Sequence, residues 1–203
     1  MGQGRESKES VTRHSSHATK KAVFLDRDGV IIRQWDGYLD DPARVELLPG
    51  AAEAIRKLRE EGFAVIVVTN QAGVGYGHLT EETLEAIHTR LKEELSRKGA
   101  SLDAIYYCPH TPEEGCSCRK PAPGMLLRAA EELELDLSRS YLVGDMTTDI
   151  EAGKRVGCFT VLVRTGFGGS DGRSDSAPDA VCPDLASAAE LILERERAEK
   201  KDG

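Results

Sequence analysis

Two carboxylates two residues apart, Asp26 and Asp28 in Phe24-Leu-Asp-Arg-Asp-Gly-Val30, are the side chains of this 203-residue sequence best placed to do chemistry. They follow the apolar run Lys21-Ala-Val-Phe-Leu25, which reads as a buried parallel strand, and Gly29 signals a turn directly after them. Side chains two apart in a strand face the same way, so one carboxylate can attack while the other moves a proton. A helix cap or a solvated turn also accounts for such a pair, so other segments must decide. Val65-Ile-Val-Val68 is a second apolar run, ending in Thr69-Asn-Gln71, whose hydroxyl and amides can donate to a phosphate. Cys118-Arg-Lys-Pro121 sets Arg119 and Lys120 just before a helical stretch. Tyr141-Leu-Val-Gly144 is a third such strand and delivers Asp145, with Asp149 four residues on. In open α/β sheets, ligands bind beyond the carboxyl ends of the strands, where these residues fall.

The elements that must position them alternate between apolar runs and amphipathic stretches, which predicts βαβ units and a mostly parallel sheet. Strands are expected at 22–26, 63–68, 103–107, 141–144 and 158–163, with a short one near Ala180-Val181. Helical spacing covers Gly50 to Glu61, Thr80 to Lys98, Pro123 to Leu133 and Asp184 to Arg197, and the chain from Ala198 onward is expected to fray. The intervals from Asp28 to Thr69 and from Thr69 to Lys120 are used up by these elements, leaving no room for a separate cap domain. Specificity then falls to short loops, Arg33-Gln-Trp-Asp-Gly-Tyr38 and Ala72-Gly-Val-Gly-Tyr-Gly77. The glycines of the second loop suit an anion cradle or plain turn flexibility equally. His78 and His88 fit no pattern and are expected on the surface.

Cys108-Pro-His110 and Cys116-Ser-Cys118 bracket a five-residue turn and gather three thiols and one imidazole within eleven residues. That set matches tetrahedral structural zinc with no position left for water. Disulfides are the rival reading, disfavoured in a reducing compartment. The ion would fix the loop that carries Arg119 and Lys120. Cys158 and Cys182 read as small core residues.

No apolar stretch approaches the roughly 20 residues that span a bilayer. The first ten residues lack an apolar h-region, so no secretory signal is expected and a cytoplasmic protein is. Residues 1–20 read as a disordered tail and 21–197 as one domain, with a short tail at 198–203. The net charge is −8, and because residues 1–21 carry +3, the rest carries −11. An acidic body argues against a nucleic-acid backbone as partner, while carboxylates gathered around a metal still bind a small phosphate ester. The expectation is a monomer that engages neither nucleic acid nor membrane.

The order D-x-D, T-N-Q, R-K-P, G-D-x-x-x-D resembles the haloacid dehalogenase superfamily of phosphohydrolases over roughly residues 21–190. The resemblance implies an α/β fold, a three-layer Rossmann-like parallel sheet with a minimal cap and, here, a zinc-binding loop. It implies phosphoryl transfer through an aspartyl-phosphate, with Asp26 attacking and Asp28 protonating the leaving oxygen and then activating water. Thr69 and Lys120 would hold the equatorial oxygens. Mg²⁺ would rest on Asp26, Asp145 and the main-chain carbonyl of Asp28, with Asp149 supporting it through water or a hydrogen bond. The carboxylate at 28 favours a phosphatase over a dehalogenase, because a halide needs no proton. A knuckle beside R-K-P is similar to that of two groups within the superfamily, phosphatases of heptose bisphosphates and of histidinol phosphate. Ile105-Tyr-Tyr-Cys-Pro-His110, Lys120-Pro-Ala-Pro-Gly-Met-Leu-Leu127 and Val161-Leu-Val-Arg-Thr-Gly166 look more like the first group. That likeness implies a small phosphorylated sugar used for surface-glycan (lipopolysaccharide) precursors. Substrate contacts carried over are Asp36, Gly37 and Tyr38, then Thr69, Asn70, Gln71 and Ala72, and finally Arg119 and Lys120. Arg119 would grip a second phosphate, the alternative being a surface ion pair with Glu113 or Glu114. The sequence departs from the group at Tyr76 and Met146, where arginine and lysine are frequent.

Overall fold

The structure, a computed structural model, describes residues 20–202; the expected N-terminal tail lies outside them apart from Lys20. Six strands form one sheet: β1 (Ala22–Leu25), β2 (Ala64–Asn70), β3 (Ala104–Cys108), β4 (Tyr141–Gly144), β5 (Phe159–Val163) and β6 (Ala180–Cys182). Their order is β3-β2-β1-β4-β5-β6 and every pairing is parallel. Strands covered on both faces need apolar residues on both, which is why they read as continuous runs of Val, Ile and Leu. One face, with Val23, Leu25, Val65 and Val143, packs on α1 (Ala51–Glu60), α3 (Glu81–Arg97) and α6 (Leu185–Asp202). The other, with Phe24, Ile66 and Leu142, packs on α4 (Gly124–Leu133) and α5 (Thr147–Arg155). The result is the expected three-layer α/β arrangement. A one-turn helix, α2 (Ala72–Gly75), follows β2.

The connection direction reverses between β1, which leads to β2, and its other neighbour β4. Phe24 lies beside Ile66 on one side and Leu142 on the other. A crevice opens beyond the strand ends at such a switch point, and Asp26 and Asp145 stand there. The main-chain N–H of Asp26 still donates to the Val143 carbonyl (3.0 Å), extending the pairing by one residue. From Asp28 to Gly50 the chain forms a compact flap in which Arg33 N–H bonds Glu46 O (2.9 Å) and Leu48 N–H bonds Ile31 O (2.9 Å). Among the described residues no cap domain intervenes.

Two elements differ from expectation. Helix α5 carries buried Thr148, Asp149 and Gly153 where an apolar stripe would signal a helix, so its pattern is masked. Gly153 is there because a Cβ would stand 2.7 Å from Thr160 Cγ2. Helix α6 does not end at Arg197 but continues to Asp202. Ala, Glu and Lys at 198–201 are strong helix formers, and Glu196, one turn earlier, anchors the helix by accepting from Tyr141 Oη (2.9 Å) and Lys21 Nζ (2.6 Å).

Candidate active site

Asp26 and Asp28 both line a pocket of about 250 Å³ above the switch point. Between them Arg27 is buried, only 1 % exposed, at the wall of the same pocket. Its guanidinium donates to Asp28 Oδ2 from Nε (3.1 Å) and Nη2 (2.8 Å), and to Gln71 Oε1 from Nη2 (2.9 Å). Nη1 lies 3.2 Å from His88 Nε2. Burial, and then the nearby charges of Arg27 and Lys92, press His88 down to a pKa of about 3. It is neutral, and its Nε2 accepts from the guanidinium. The amide of Gln71 donates to both Asp28 Oδ2 (3.0 Å) and Thr69 Oγ1 (2.9 Å). Since Thr69 Oγ1 accepts that bond, its own proton remains to donate elsewhere. His88 is therefore a buried partner of the D-x-D motif and not the surface residue expected. Its place on the stripe Leu84, Ile87, Leu91 of α3 was the available signal.

Lys120 reaches the same pocket from the other side, 4 % exposed. Its ammonium donates to Asp26 Oδ1 (2.8 Å) and Val68 O (2.7 Å) and pairs with Asp149 Oδ1 (2.5 Å). Burial works against that charge, but Asp149 and Asp26 outweigh it and hold the pKa above the usual lysine value. The backbone of Lys120 is fixed by Asn70, whose Oδ1 accepts from Lys120 N–H and whose Nδ2 donates to Lys120 O, both at 3.0 Å. Asn70 and Gln71, expected to donate to substrate, thus have side-chain amides engaged within the protein. In this structure they place Lys120, Thr69 and Asp28.

One oxygen each of Asp26, Asp145 and Asp149 lies within 4.8 Å of the others, and all three residues are buried. Asp145 Oδ2 accepts from Phe167 N–H (2.7 Å), while its buried Oδ1 has no hydrogen-bond partner. Gly29, at φ 78°, makes room for this carboxylate, since a Cβ there would stand 2.5 Å from Oδ2. Burial raises Asp26 to about 6, with Lys120 opposing and Asp149 and Asp28 adding to the rise. Burial, then the charges of Asp26 and Asp149, raises Asp145 to about 8. Ionising all three carboxylates beside one ammonium would leave two negative charges uncompensated, and one oxygen lacks a donor. That donor set fits a hard divalent cation such as Mg²⁺. The Asp28 side chain is outside the cluster, consistent with an expected contribution from its main-chain carbonyl only. Asp149 has both oxygens engaged, by Lys120 and by Met146 N–H (3.0 Å), which suits a supporting position.

Cys108, His110, Cys116 and Cys118 converge on one point. Their sulfurs lie 3.1–3.4 Å apart, and His110 Nδ1 lies 3.3 Å from Cys118 Sγ and 3.6 Å from Cys108 Sγ. A disulfide needs about 2.05 Å, and all five cysteines are free. Zinc at about 2.3 Å from each sulfur sets tetrahedral edges of roughly 3.8 Å, a small expansion of what is present. The four side chains therefore fit zinc. Arg119 does not pair with Glu113 or Glu114; its Nη1 donates to His110 O (3.2 Å), and the residue lines the pocket. Gly75 N–H bonds Pro109 O (2.9 Å), and a Cβ on Gly75 would stand 2.8 Å from that oxygen. This glycine serves close approach of α2 to the knuckle, not an anion cradle.

The pocket's outer wall is aromatic. Tyr38 stacks on His78 at 4.8 Å, Tyr76 lies 6.4 Å from Tyr38, and Tyr76 Oη donates to Glu113 (3.0 Å). Gly37, Tyr38 and Ala72 line the pocket, whereas Asp36 is exposed and is not among its lining residues. Trp35, Phe167 and Arg173 also line it, and sequence reasoning did not single them out. Arg173 is held near the site by Asp171, which accepts from Thr147 N–H and Oγ1 (both 2.7 Å), and by Ser174 N–H, which bonds Thr147 Oγ1 (3.0 Å). No local sequence pattern marks that clip.

This sheet, with an aspartate pair after β1, a lysine from the loop before α4 and a carboxylate after β4, defines a haloacid dehalogenase-like hydrolase. A family model of that description matches residues 23–101, and a HAD-hydrolase-like model matches residues 117–188. A D-glycero-beta-D-manno-heptose-1,7-bisphosphate 7-phosphatase from Bordetella bronchiseptica is 39% identical over 86% of this chain and 98% of its own length. The enzyme of that name from Pseudomonas aeruginosa is 40% identical, over 87% and 99%. A crystal structure of the B. bronchiseptica phosphatase complexed with magnesium and phosphate superposes with a TM-score of 0.79 and 38% identity, covering 86% of this chain and 99% of that one. The chain belongs to the D-glycero-D-manno-heptose-1,7-bisphosphate 7-phosphatase family.

Proposed function

We propose that this protein is a Mg²⁺-dependent phosphatase that removes the 7-phosphate of D-glycero-D-manno-heptose 1,7-bisphosphate through an aspartyl-phosphate, supplying a surface-glycan precursor in the cytoplasm. The observation that carries the chemistry is the convergence of Asp26, Asp28, Lys120 and Asp149 on one pocket, with Asp145 clustered against Asp26 and Asp149. Asp26 attacks phosphorus with one carboxylate oxygen, and the bond to the sugar oxygen breaks as Asp28 gives that oxygen a proton. Asp28, now ionised, takes a proton from water as the water attacks phosphorus, which returns Asp26 to its starting state. Lys120 and the free proton of Thr69 hold the equatorial oxygens, where charge accumulates. Asp26, Asp145 and the main-chain carbonyl of Asp28, with Asp149 in support, would hold Mg²⁺, which when bound would offset the repulsion between the attacking carboxylate and the phosphate.

Substrate choice rests on the family relationship and on the cations of the rim. Arg119 and Arg173 sit outside the reacting centre and suit the phosphate that is not cleaved, with the guanidinium of Arg119 able to bind it bidentately. Gly37, Tyr38, Ala72 and the neighbouring main chain bound the sugar, and Asp36 lies at the edge. Zinc on Cys108, His110, Cys116 and Cys118 fixes the loop that presents Arg119 and Lys120. The test compares kcat/KM, with Mg²⁺, for the α and β anomers of the heptose bisphosphate and for histidinol phosphate, with ³¹P NMR to identify the ester cleaved. Loss of the C7 resonance, with a heptose bisphosphate as the better substrate, is expected. Preference for histidinol phosphate, or no phosphate release from any of them, would overturn the assignment.

A further inference from the structure

We propose that Arg27, backed by His88, is a positioning residue for proton transfer, pinning Asp28 by one oxygen so that the other alone carries the proton. This rests on the reading of Asp28 as general acid and base. Among the described residues, every hydrogen bond to the Asp28 carboxylate ends on Oδ2: two from Arg27 and one from Gln71. Oδ1 is left to face the pocket that Asp28 lines. A guanidinium chelating one oxygen from Nε and Nη2 constrains rotation of the carboxylate, and the group doing so must itself be held. Arg27 is held at its far end, where Nη1 meets His88 Nε2 and Nη2 meets Gln71 Oε1. His88 comes from α3, which touches no reacting atom, and its ring lies against Tyr107 at 5.6 Å. The core thus reaches the proton carrier through one buried cation. Elsewhere a buried guanidinium is a liability; here each of its edges meets an acceptor. Misplacing a reacting group by about 1 Å can cost roughly a hundredfold in rate.

The consequence is specific to proton transfer. An alkyl phosphate needs its leaving oxygen protonated, whereas p-nitrophenolate leaves without a proton. The experiment measures kcat/KM, which reports the steps through loss of the leaving group, for heptose 1,7-bisphosphate and for p-nitrophenyl phosphate on the full, Mg²⁺- and zinc-loaded protein. Arg27→Lys and His88→Leu are expected to lower the alkyl-to-aryl ratio by about ten- to a hundredfold. His88→Gln, whose amide oxygen can still accept from Nη1, is expected to keep the ratio near that of wild type. A purely structural role would lower both substrates together and leave the ratio unmoved. Asp28→Asn is measured alongside. If it collapses the ratio while Arg27→Lys and His88→Leu do not, the positioning role is wrong and the acid–base role stands. If Asp28→Asn leaves the ratio unchanged, the acid–base reading fails and the proposal with it. Should Arg27→Lys fail to fold, the contrast between His88→Leu and His88→Gln decides alone.

Discussion

Replacing Lys120 by methionine removes the one ammonium that faces both Asp26 and Asp149, keeping most of the side-chain volume. In the native site Nζ meets Asp26 at 2.8 Å, Asp149 at 2.5 Å and the Val68 carbonyl at 2.7 Å, all buried. Breaking a buried ion pair by removing one partner costs about 3–5 kcal/mol, because the remaining charge is left uncompensated. At about 2–4 °C per kcal/mol for a domain of this size, the melting temperature in Mg²⁺-free buffer should fall by roughly 6–20 °C. With saturating Mg²⁺ the fall should be smaller, since a cation then faces the same carboxylates. The rate should fall at least about a hundredfold on every phosphate ester, because the lost charge also serves the transferring phosphoryl group. Thermal unfolding with and without Mg²⁺, paired with phosphate-release kinetics on a bisphosphate and a monophosphate, measures all three effects. A melting temperature within about 2 °C of wild type without Mg²⁺ would show that the Lys120 contacts are not what compensates the carboxylates. A loss confined to bisphosphates would move Lys120 out of the reacting centre.

Arg119→Ala should cost about 1.5–3 kcal/mol on bisphosphates, roughly ten- to a hundredfold in kcat/KM, with little effect on simple monophosphates; an unchanged ratio of the two would remove its role in gripping the second phosphate. Metal analysis of protein purified without chelator should find one zinc per chain, and Cys116→Ser should depress activity without changing the Mg²⁺ concentration dependence; absence of zinc, or a disulfide among these cysteines, would contradict the knuckle. The raised pKa values of Asp26 (about 6) and Asp145 (about 8) set a sign for pH. A carboxyl whose folded pKa lies above its unfolded value stabilises the fold fully below the unfolded value, and loses that contribution as pH rises through the folded one. Mg²⁺-free, zinc-loaded protein should therefore lose stability relative to the Mg²⁺ form between about pH 4 and pH 8. A gap between their melting temperatures that narrows over this range would refute the electrostatic picture of the cluster.

Much of this molecule is legible in its residues. Parallel strands buried on both faces announce themselves as runs such as Val65-Ile-Val-Val68, and each such run that ends in a polar residue points to the crevice. What escaped is what three dimensions add. Helix α5 was hidden because its buried positions hold Thr148 and Asp149, which serve the site, and Gly153, which lets the helix approach β5. Asn70 and Gln71 have the chemistry of phosphate ligands, but the register of β2 beside the R-K-P loop turns their amides onto Lys120, Asp28 and Thr69. His88 reads as a surface residue in the sequence because its partner, Arg27, lies 61 residues away. The clip of Asp171 and Ser174 on Thr147, which brings Arg173 to the rim, joins a loop without periodicity to the first residue of α5.

The proposed chemistry stands or falls with phosphorylation of Asp26. Mixing the Mg²⁺-loaded protein with excess heptose 1,7-bisphosphate, quenching in acid within one turnover and mapping the peptides by mass spectrometry tests it most directly. The expected result is the mass of one phosphoryl group on Asp26, absent from Asp26→Asn protein. Phosphate release with no phosphorylated peptide, or with the group on another residue, would contradict it.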